Sequence, residues 1–235
     1  MTRLVPDFWL GQQLGKPAFR VAASVGDLMI EELPQDASFV EAKVDAGDFE
    51  GLAHLQELGF RIIDCNLTLE RAVGEALPQV DADKLPVNVR FASPADESGV
   101  RSLASEAFEH NRFHRDPRIP DDVAAKIKAE WAGNYFCGGR GDWMIVAEEA
   151  GGIGGFLQIL CTDDGVIVID LIAVAPRYRR HGLARSMIAY AYQNCLGRRA
   201  NMRVGTQLSN SASLQLYYTM GFRLHRATYH LHRHT

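Results

Sequence analysis

The stretch Ile172-Ala173-Val174-Ala175-Pro176-Arg177-Tyr178-Arg179-Arg180-His181-Gly182-Leu183-Ala184 decides how this chain is read. The apolar run Val166 to Val174 predicts a strand that ends at Pro176. A basic turn leads to Gly182 and Ala184. An apolar run with Met187, Ile188, Tyr190 and Ala191 then predicts a helix. A strand that passes through small residues into a helix N-terminus leaves backbone N–H groups unpaired, and the helix dipole adds positive potential there. Such a turn is an anion cradle. A side chain at position 182 would block close approach of a phosphate, so Gly182 suits that role. Arg179, Arg180 and His181 add positive charge at the rim. A basic surface connection without a ligand fits the same residues, so the turn does not decide alone.

The next segment adds to it. Ala200 to Gln207 reads as a second strand, and Ser209-Asn210 is a good helix N-cap. The helix carries Leu214, Leu216, Tyr217 and Met220 and closes at Gly221-Phe222, where Gly suits the position after the cap. A final strand runs from Leu224 to His232. Asn210 and Tyr217 are two helical turns apart, roughly 10 Å along one face. An amide and a hydroxyl so spaced can serve the two ends of one extended ligand.

Together the two segments resemble the GNAT superfamily of acyl-CoA-dependent N-acetyltransferases. The family's pyrophosphate loop, Arg/Gln-x-x-Gly-x-Gly/Ala, is matched by Arg179-x-x-Gly182-x-Ala184. Its later pattern is matched at Asn210, Leu216, Tyr217, Gly221 and Phe222, with Ala212 one place early. The resemblance implies an α/β (α+β) fold with a mixed, mostly antiparallel sheet flanked by helices. It implies acetyl-CoA as co-substrate, and no metal. Arg179, Arg180, His181, Gly182, Leu183 and Ala184 would hold the pyrophosphate. Ile172, Ala173 and Val174 would offer a strand edge to the pantetheine amides, because this strand splays from Arg203–Gln207 in the family. An N–H of Ile172 or Val174 would polarise the thioester carbonyl, and Asn210 would hydrogen-bond the cofactor arm.

Tyr217 is the general-acid candidate, since a phenol stays protonated at neutral pH and can donate to a departing thiolate. Tyr218 points about 100° away around the helix. The general base stays open among Asp170, Glu148 and Gln158, any of which could order a water. A purely structural role fits Asp170 equally well.

Composition sets outer bounds. A chain of 235 residues holds one large or two small domains, and 47% hydrophobic with 23% charged content is that of a globular protein. A net charge of −4 argues against a dominant nucleic-acid interaction. No apolar run approaches the roughly 20 residues that span a bilayer. The N-terminus lacks a signal-peptide core, and Cys65, Cys137, Cys161 and Cys195 have neither metal nor disulfide spacing. A cytoplasmic protein with reduced thiols is expected.

Gly74 to Val87 reads as a linker. The expected division is an N-terminal half-GNAT-like unit at 1–75, a linker at 76–86 and the acetyltransferase domain at 87–235. Within the last, a strand starts at Val87 and a helix at Pro94 with Val100, Leu103, Ala104 and Ala107 at helical spacing. A second helix runs from Asp121 to Trp131, and Trp143–Glu148 and Gly155–Leu160 form a strand pair. The N-terminal unit rests on a repeat: Leu58-Gly59-Phe60-Arg61 recurs as Met220-Gly221-Phe222-Arg223. Upstream, Phe39–Val44 and Phe49–Leu58 match the second strand and helix. In this register Asp48 replaces Asn210 and Leu55 replaces Tyr217, so one active site per chain is expected.

The layout further resembles the dTDP-fucosamine (dTDP-4-amino-4,6-dideoxygalactose) acetyltransferases. The likeness lies in Phe39–Val44, Leu55–Phe60, Leu103–Phe108 with Arg112-Phe113, and Arg203–Gln207. This implies a nucleotide-linked amino sugar as acceptor. Arg112, Arg115 and Arg118 in the irregular stretch Asn111–Arg118 would bind its diphosphate, and Phe113 would stack on its base. A solvated basic loop is the alternative. His230, His232 and His234 share one strand face without a completing ligand set, and an exposed face is expected. A free edge at the C-terminal strands points to a homodimer. The other readings are transfer to another small amine or a protein amine, and a non-catalytic acyl-CoA-binding module; retention of Tyr217 argues against the last.

Overall fold

A computed structural model describes residues 4–22, 25–72, 88–109, 111–195 and 201–235. The expected linker and the strand start at Val87 lie outside them. The strands and α-helices, in chain order, are β1 (Leu4–Pro6), α1 (Phe8–Leu14), β2 (Ala18–Val21), β3 (Phe39–Asp45), α2 (Phe49–Glu57) and β4 (Arg61–Ala72). After the gap come β5 (Asn88–Phe91), α3 (Glu97–Ala107), α4 (Arg112–Arg115), α5 (Asp121–Gly133), β6 (Trp143–Glu149), β7 (Gly152–Cys161) and β8 (Val166–Val174). The chain closes with α6 (Leu183–Asn194), β9 (Asn201–Gln207), α7 (Ser211–Thr219) and β10 (Arg223–His234). The stretch expected to be irregular at Asn111–Arg118 contains the short helix α4, which Asn111 caps by accepting from the amides of Phe113 and His114.

All described strands join one sheet in the order β1-β2-β3-β10-β4-β9-β8-β7-β6-β5. Pairing is antiparallel except for β2 with β3 and β8 with β9. Alternation along the strands supplies two apolar faces. Ile145, Leu157 and Ile159 pack against α6 residues Leu183, Met187, Ile188 and Ala191 on one side. Met144, Val146 and Phe156 pack against Val100, Leu103 and Ala104 of α3 on the other. This is the expected mixed, mostly antiparallel sheet flanked by helices. No helix among the described residues is long and apolar enough to cross a membrane.

The repeat is visible in three dimensions. Phe39–Asp45, Phe49–Glu57 and Arg61–Ala72 correspond at one constant offset to Asn201–Gln207, Ser211–Thr219 and Arg223–His234. Both helices are capped by a side chain accepting from the third residue on, Asp48 from Gly51 and Asn210 from Ser213. Both are followed by a left-handed glycine, Gly59 at φ 85° and Gly221 at φ 86°. The copies do not lie beside each other as separate units. The last strand of each inserts next to the other's strands, so β10 sits between β3 and β4, and β4 between β10 and β9. The boundary expected near residue 75 therefore divides the sequence and not the sheet. The free C-terminal edge behind the homodimer expectation is absent, since β3 covers it; the sheet instead ends on the short strands β1 and β5.

One irregularity positions the site. β8 pairs with β9 only from Val166–Ile169 to Asn201–Val204. Beyond Ile169, β8 bonds only to β7, while Gly205–Gln207 of β9 bond only to β4. The two neighbours diverge, and a wedge opens in the middle of the sheet.

Candidate active site

The wedge is the wall of a cleft of about 840 Å³. One side is the unpaired edge of β8 from Asp170 to Val174, and the other is Gly205–Gln207 with residues of α7. The turn from Tyr178 to Arg185 closes one end, and the apex, where the strands part, forms the other. Of the ten residues expected to hold the co-substrate, nine line this cleft. His181 does not; its side chain is exposed outside it. Leu183 is 1% exposed and packs in the core, so only its backbone can serve a ligand.

The turn has the geometry of an anion cradle. Gly182 caps α6 with φ 86° and offers no side-chain hydrogen bond. The amides of Leu183, Ala184 and Arg185 thus have no acceptor within the helix. Arg180 has φ 69°, in the left-handed region uncommon for residues other than Gly, Asn or Asp. Such local strain is held where the surroundings demand it. A Cβ built at Gly182 would meet nothing within 4 Å, so the space above the backbone is open. Open volume, free amides and the exposed Arg179 and Arg180 fit a pyrophosphate.

Asn210 and Tyr217 both line the same cleft. Asn210 stands at the helix N-terminus, its Oδ1 taken by the amide of Ser213 at 3.1 Å. Tyr217 is 2% exposed, its ring 5.6 Å from that of Phe222. Burial raises its phenol pKa well above the ordinary value, so the hydroxyl keeps its proton across the neutral range.

The apex carries side chains from distant segments. Asp170 of β8 accepts from Arg140 at 2.7 and 2.6 Å and from Trp131 Nε1 at 2.9 Å. Lys128 of α5 places its ammonium 4.5 Å from the Trp131 ring centre and 5.1 Å from that of Phe108. Arg112 donates to Glu41 at 2.6 Å across the two halves of the chain, and its Nε is buried with no partner. Lys43, Asp64 and Asn66 reach the cleft from the N-terminal copy, and His230 from β10. Burial, together with Arg112 and Lys43, holds the His230 imidazole far below its usual range, so it is neutral.

Several expected roles change here. Glu148 is remote from the cleft; it pairs with Arg90 and Asn88 at the sheet's end. Gln158 is fully buried and outside the lining. Asp170 is saturated by the donors named above. Phe113 cannot stack on a base, because it is 1% exposed with Arg112 over its ring at 4.6 Å and His232 stacked at 6.2 Å. Arg115 turns away to the hydroxyl of Ser209, and Arg118 to the carbonyl of His234 at 3.3 Å. Neither lines the cleft. Only Arg112 of that stretch's arginines does.

The C-terminal histidines do not form an exposed face. His232 is 2% exposed and His230 is buried at the cleft. Asp116, from a loop more than a hundred residues away in sequence, sits between His232 and His234 and accepts from both at 2.7 Å. The three donor atoms lie within 4.8 Å of one another. Lys16 donates to Nδ1 of His234 at 3.1 Å, which leaves the ring proton on Nε2, facing Asp116. That tautomer makes the cluster a hydrogen-bonded clamp that ties β10 to the loop after α4.

Sequence reasoning missed Lys128, Arg140, Lys43, Asp64 and His230 as cleft residues. One signal was available. Ala124, Ile127, Lys128 and Trp131 have the spacing of a buried helix stripe, and a lysine in that stripe is anomalous.

Comparison with known proteins agrees with this geometry. A family model described as an acetyltransferase (GNAT) domain matches residues 140–224, from the apex arginine to the start of the last strand. The spore coat polysaccharide biosynthesis protein SpsD of Bacillus subtilis is 30% identical over 202 residues, covering 84% of this chain and 67% of that protein. The dTDP-fucosamine acetyltransferase of Escherichia coli O6:H1 is 28% identical over 197 residues, covering 83% of this chain and 82% of that one. A conserved protein of unknown function from Staphylococcus epidermidis superposes with a TM-score of 0.64 at 15% identity, covering 99% of this chain and 91% of its own. With its wedge between β8 and β9, its Gly182 cradle and these relatives, the chain belongs to the GNAT family and is an acetyltransferase.

Proposed function

We propose that the protein transfers the acetyl group of acetyl-CoA to the primary amine of a nucleotide-linked amino sugar. One observation carries the reading: the cleft runs from an anion cradle at Arg179–Ala184, along an open strand edge, to an apex holding Arg112, Lys128, Arg140 and Lys43. The cradle suits the pyrophosphate of one substrate. The cationic apex suits an anionic acceptor, and two relatives carry names from polysaccharide and amino-sugar chemistry.

Acetyl-CoA supplies the activated thioester. Backbone amides of Leu183, Ala184 and Arg185 would bind its pyrophosphate, with Arg179 and Arg180 at the rim. Ile172, Ala173 and Val174 would pair with its amide-bearing arm, one N–H polarising the carbonyl. Asn210 would orient the arm through its amide nitrogen, since its oxygen caps α7. Tyr217 would give its proton to the leaving sulfur. Asn66 and Asp64 place the N-terminal copy at the acceptor side, where it shapes the substrate site rather than repeating it.

The test is a panel of dTDP-linked amino sugars, free amino sugars, small amines and peptide amines, read by free-thiol release. Release confined to the nucleotide sugars is expected. Release with peptides or free amines only would replace the acceptor assignment and leave acetyl transfer standing. Binding of acetyl-CoA with no release from any amine would support a non-catalytic module.

A further inference from the structure

The acceptor amine reaches a neutral-pH active site as an ammonium and must lose a proton before it can attack. None of the side chains first considered for that task is available: Asp170 is saturated, Glu148 is at the far end of the sheet, and Gln158 is buried behind the cleft wall. His230 is held too acidic to keep a proton.

We propose that Lys128 is the general base of the transfer, its neutral amine taking the acceptor's proton at the apex of the wedge. The step depends on the amine-transfer reading above, though not on which amine is used.

Three structural facts support it. Lys128 lines the cleft although it sits on the buried stripe of α5 and is only 9% exposed. Its nitrogen rests on the rings of Trp131 and Phe108 and forms no ion pair or hydrogen bond among the described residues. Trp131 donates to Asp170, two residues before Ile172 on the strand whose open edge faces the co-substrate site, so Lys128 adjoins the reacting end of the cleft.

The surrounding charges favour the neutral form. Burial lowers the Lys128 pKa to about 7, Arg112 from α4 and Arg140 from the loop after α5 push the same way, and Asp170 from β8 opposes them. His114 of α4 feels the lysine charge in turn. On the side facing α3, Arg101 is occupied by Glu97 and Glu130, so no further charge from that helix is turned on Lys128. A base acts best when its pKa lies near the working pH, and lysine is shifted readily by burial.

The balance closes. One N–H bond of the acceptor ammonium breaks and its proton goes to the Lys128 nitrogen. The freed lone pair forms the N–C bond to the thioester carbon, the C–S bond breaks, and the sulfur takes the proton of Tyr217. The amide nitrogen's remaining excess proton leaves to solvent, which reprotonates Tyr217 and discharges Lys128 through the open cleft.

Two measurements test this. The first compares Lys128→Met and Lys128→Arg, using any amine the wild type accepts. Both are expected to lose at least 100-fold in kcat at pH 7 with acetyl-CoA affinity within threefold, and the acid limb near pH 7 should disappear. Arginine keeps the charge and the ring contacts but cannot accept a proton, so restored turnover in Lys128→Arg would overturn the role in favour of anion binding. The second needs no acceptor and no variant. Competitive labelling of the wild type with trace acetic anhydride, read peptide by peptide, should show Lys128 reacting with a midpoint near pH 7. A midpoint in the ordinary lysine range, about 10.4, would overturn the proposal. If no amine is acetylated at all, the functional reading fails and this labelling still decides whether Lys128 is a base poised at neutral pH.

Discussion

Replacing Tyr217 with Phe removes a single oxygen from a side chain that is 2% exposed. The ring keeps its contact with Phe222 at 5.6 Å. Its hydroxyl has no hydrogen-bond partner among the described residues, so no buried donor or acceptor is orphaned by the change. Losing such a group changes stability by about 1 kcal/mol or less in either direction, a melting shift of about 2–4 °C for a chain this long. Catalysis should respond far more. A positioned general acid contributes about 10²–10⁴-fold, and 10² corresponds to about 2.7 kcal/mol of barrier. Because burial raises the phenol pKa, the donor form is fully populated from pH 6 to 9, and the deficit of Tyr217→Phe should be constant over that range. Thiol release gives turnover, titration calorimetry gives acetyl-CoA affinity, and a thermal melt gives stability. Turnover within threefold of wild type would refute the acid role. So would a loss of activity matched by an equal loss of acetyl-CoA binding, since the hydroxyl would then act in binding.

Gly182→Ala should cost about 1–2 kcal/mol through its left-handed conformation and weaken acetyl-CoA at least tenfold, because the new Cβ enters the open space of the cradle; unchanged affinity by calorimetry would remove the cradle. Glu41→Ala should destabilise by about 3–5 kcal/mol, as Arg112 is left buried without its carboxylate, and Arg112→Met in the same chain should recover most of it; a loss under about 1 kcal/mol by urea unfolding contradicts this. Burial lowers the pKa of both His230 and His232. The unfolded chain binds protons near pH 6.5 while the native histidines stay neutral, so stability is full above that pH and falls as the pH drops through it. Melts from pH 8 to 5 should show this decline, flatter in His230→Gln; an unchanged slope in that variant refutes the assignment.

Much of the site's cofactor side was legible because it is built from local backbone chemistry. Pro176, Gly182 and the apolar run after it specify a strand, a turn and an uncapped helix within a few residues of one another. Asn210 and Gly221 announce the ends of α7 by the same local rules. The repeat was legible too, since Gly59 and Gly221 each occupy a left-handed position that only a glycine fills easily. The acceptor side was not. Phe113 reads as an exposed aromatic in a basic stretch, yet α4 turns it into the core against His232. The three histidines read as a solvent face, yet β3 and the Asp116 loop cover them. Lys128 carried a trace of its role in a helix stripe, but nothing in the chain tells which carboxylates stand near it.

By itself, then, the sequence determined the elements, their order, the anion cradle and the Asn210–Tyr217 pair, because caps, turns and periodicity depend on neighbours a few residues away. Only the tertiary structure decided that the two copies interleave in one sheet, that β8 and β9 part after Ile169, and that Lys128, Arg112 and the N-terminal Lys43 meet at the apex. Those contacts join segments up to about 190 residues apart. Non-local strand pairing sets them, and no short-range preference encodes it.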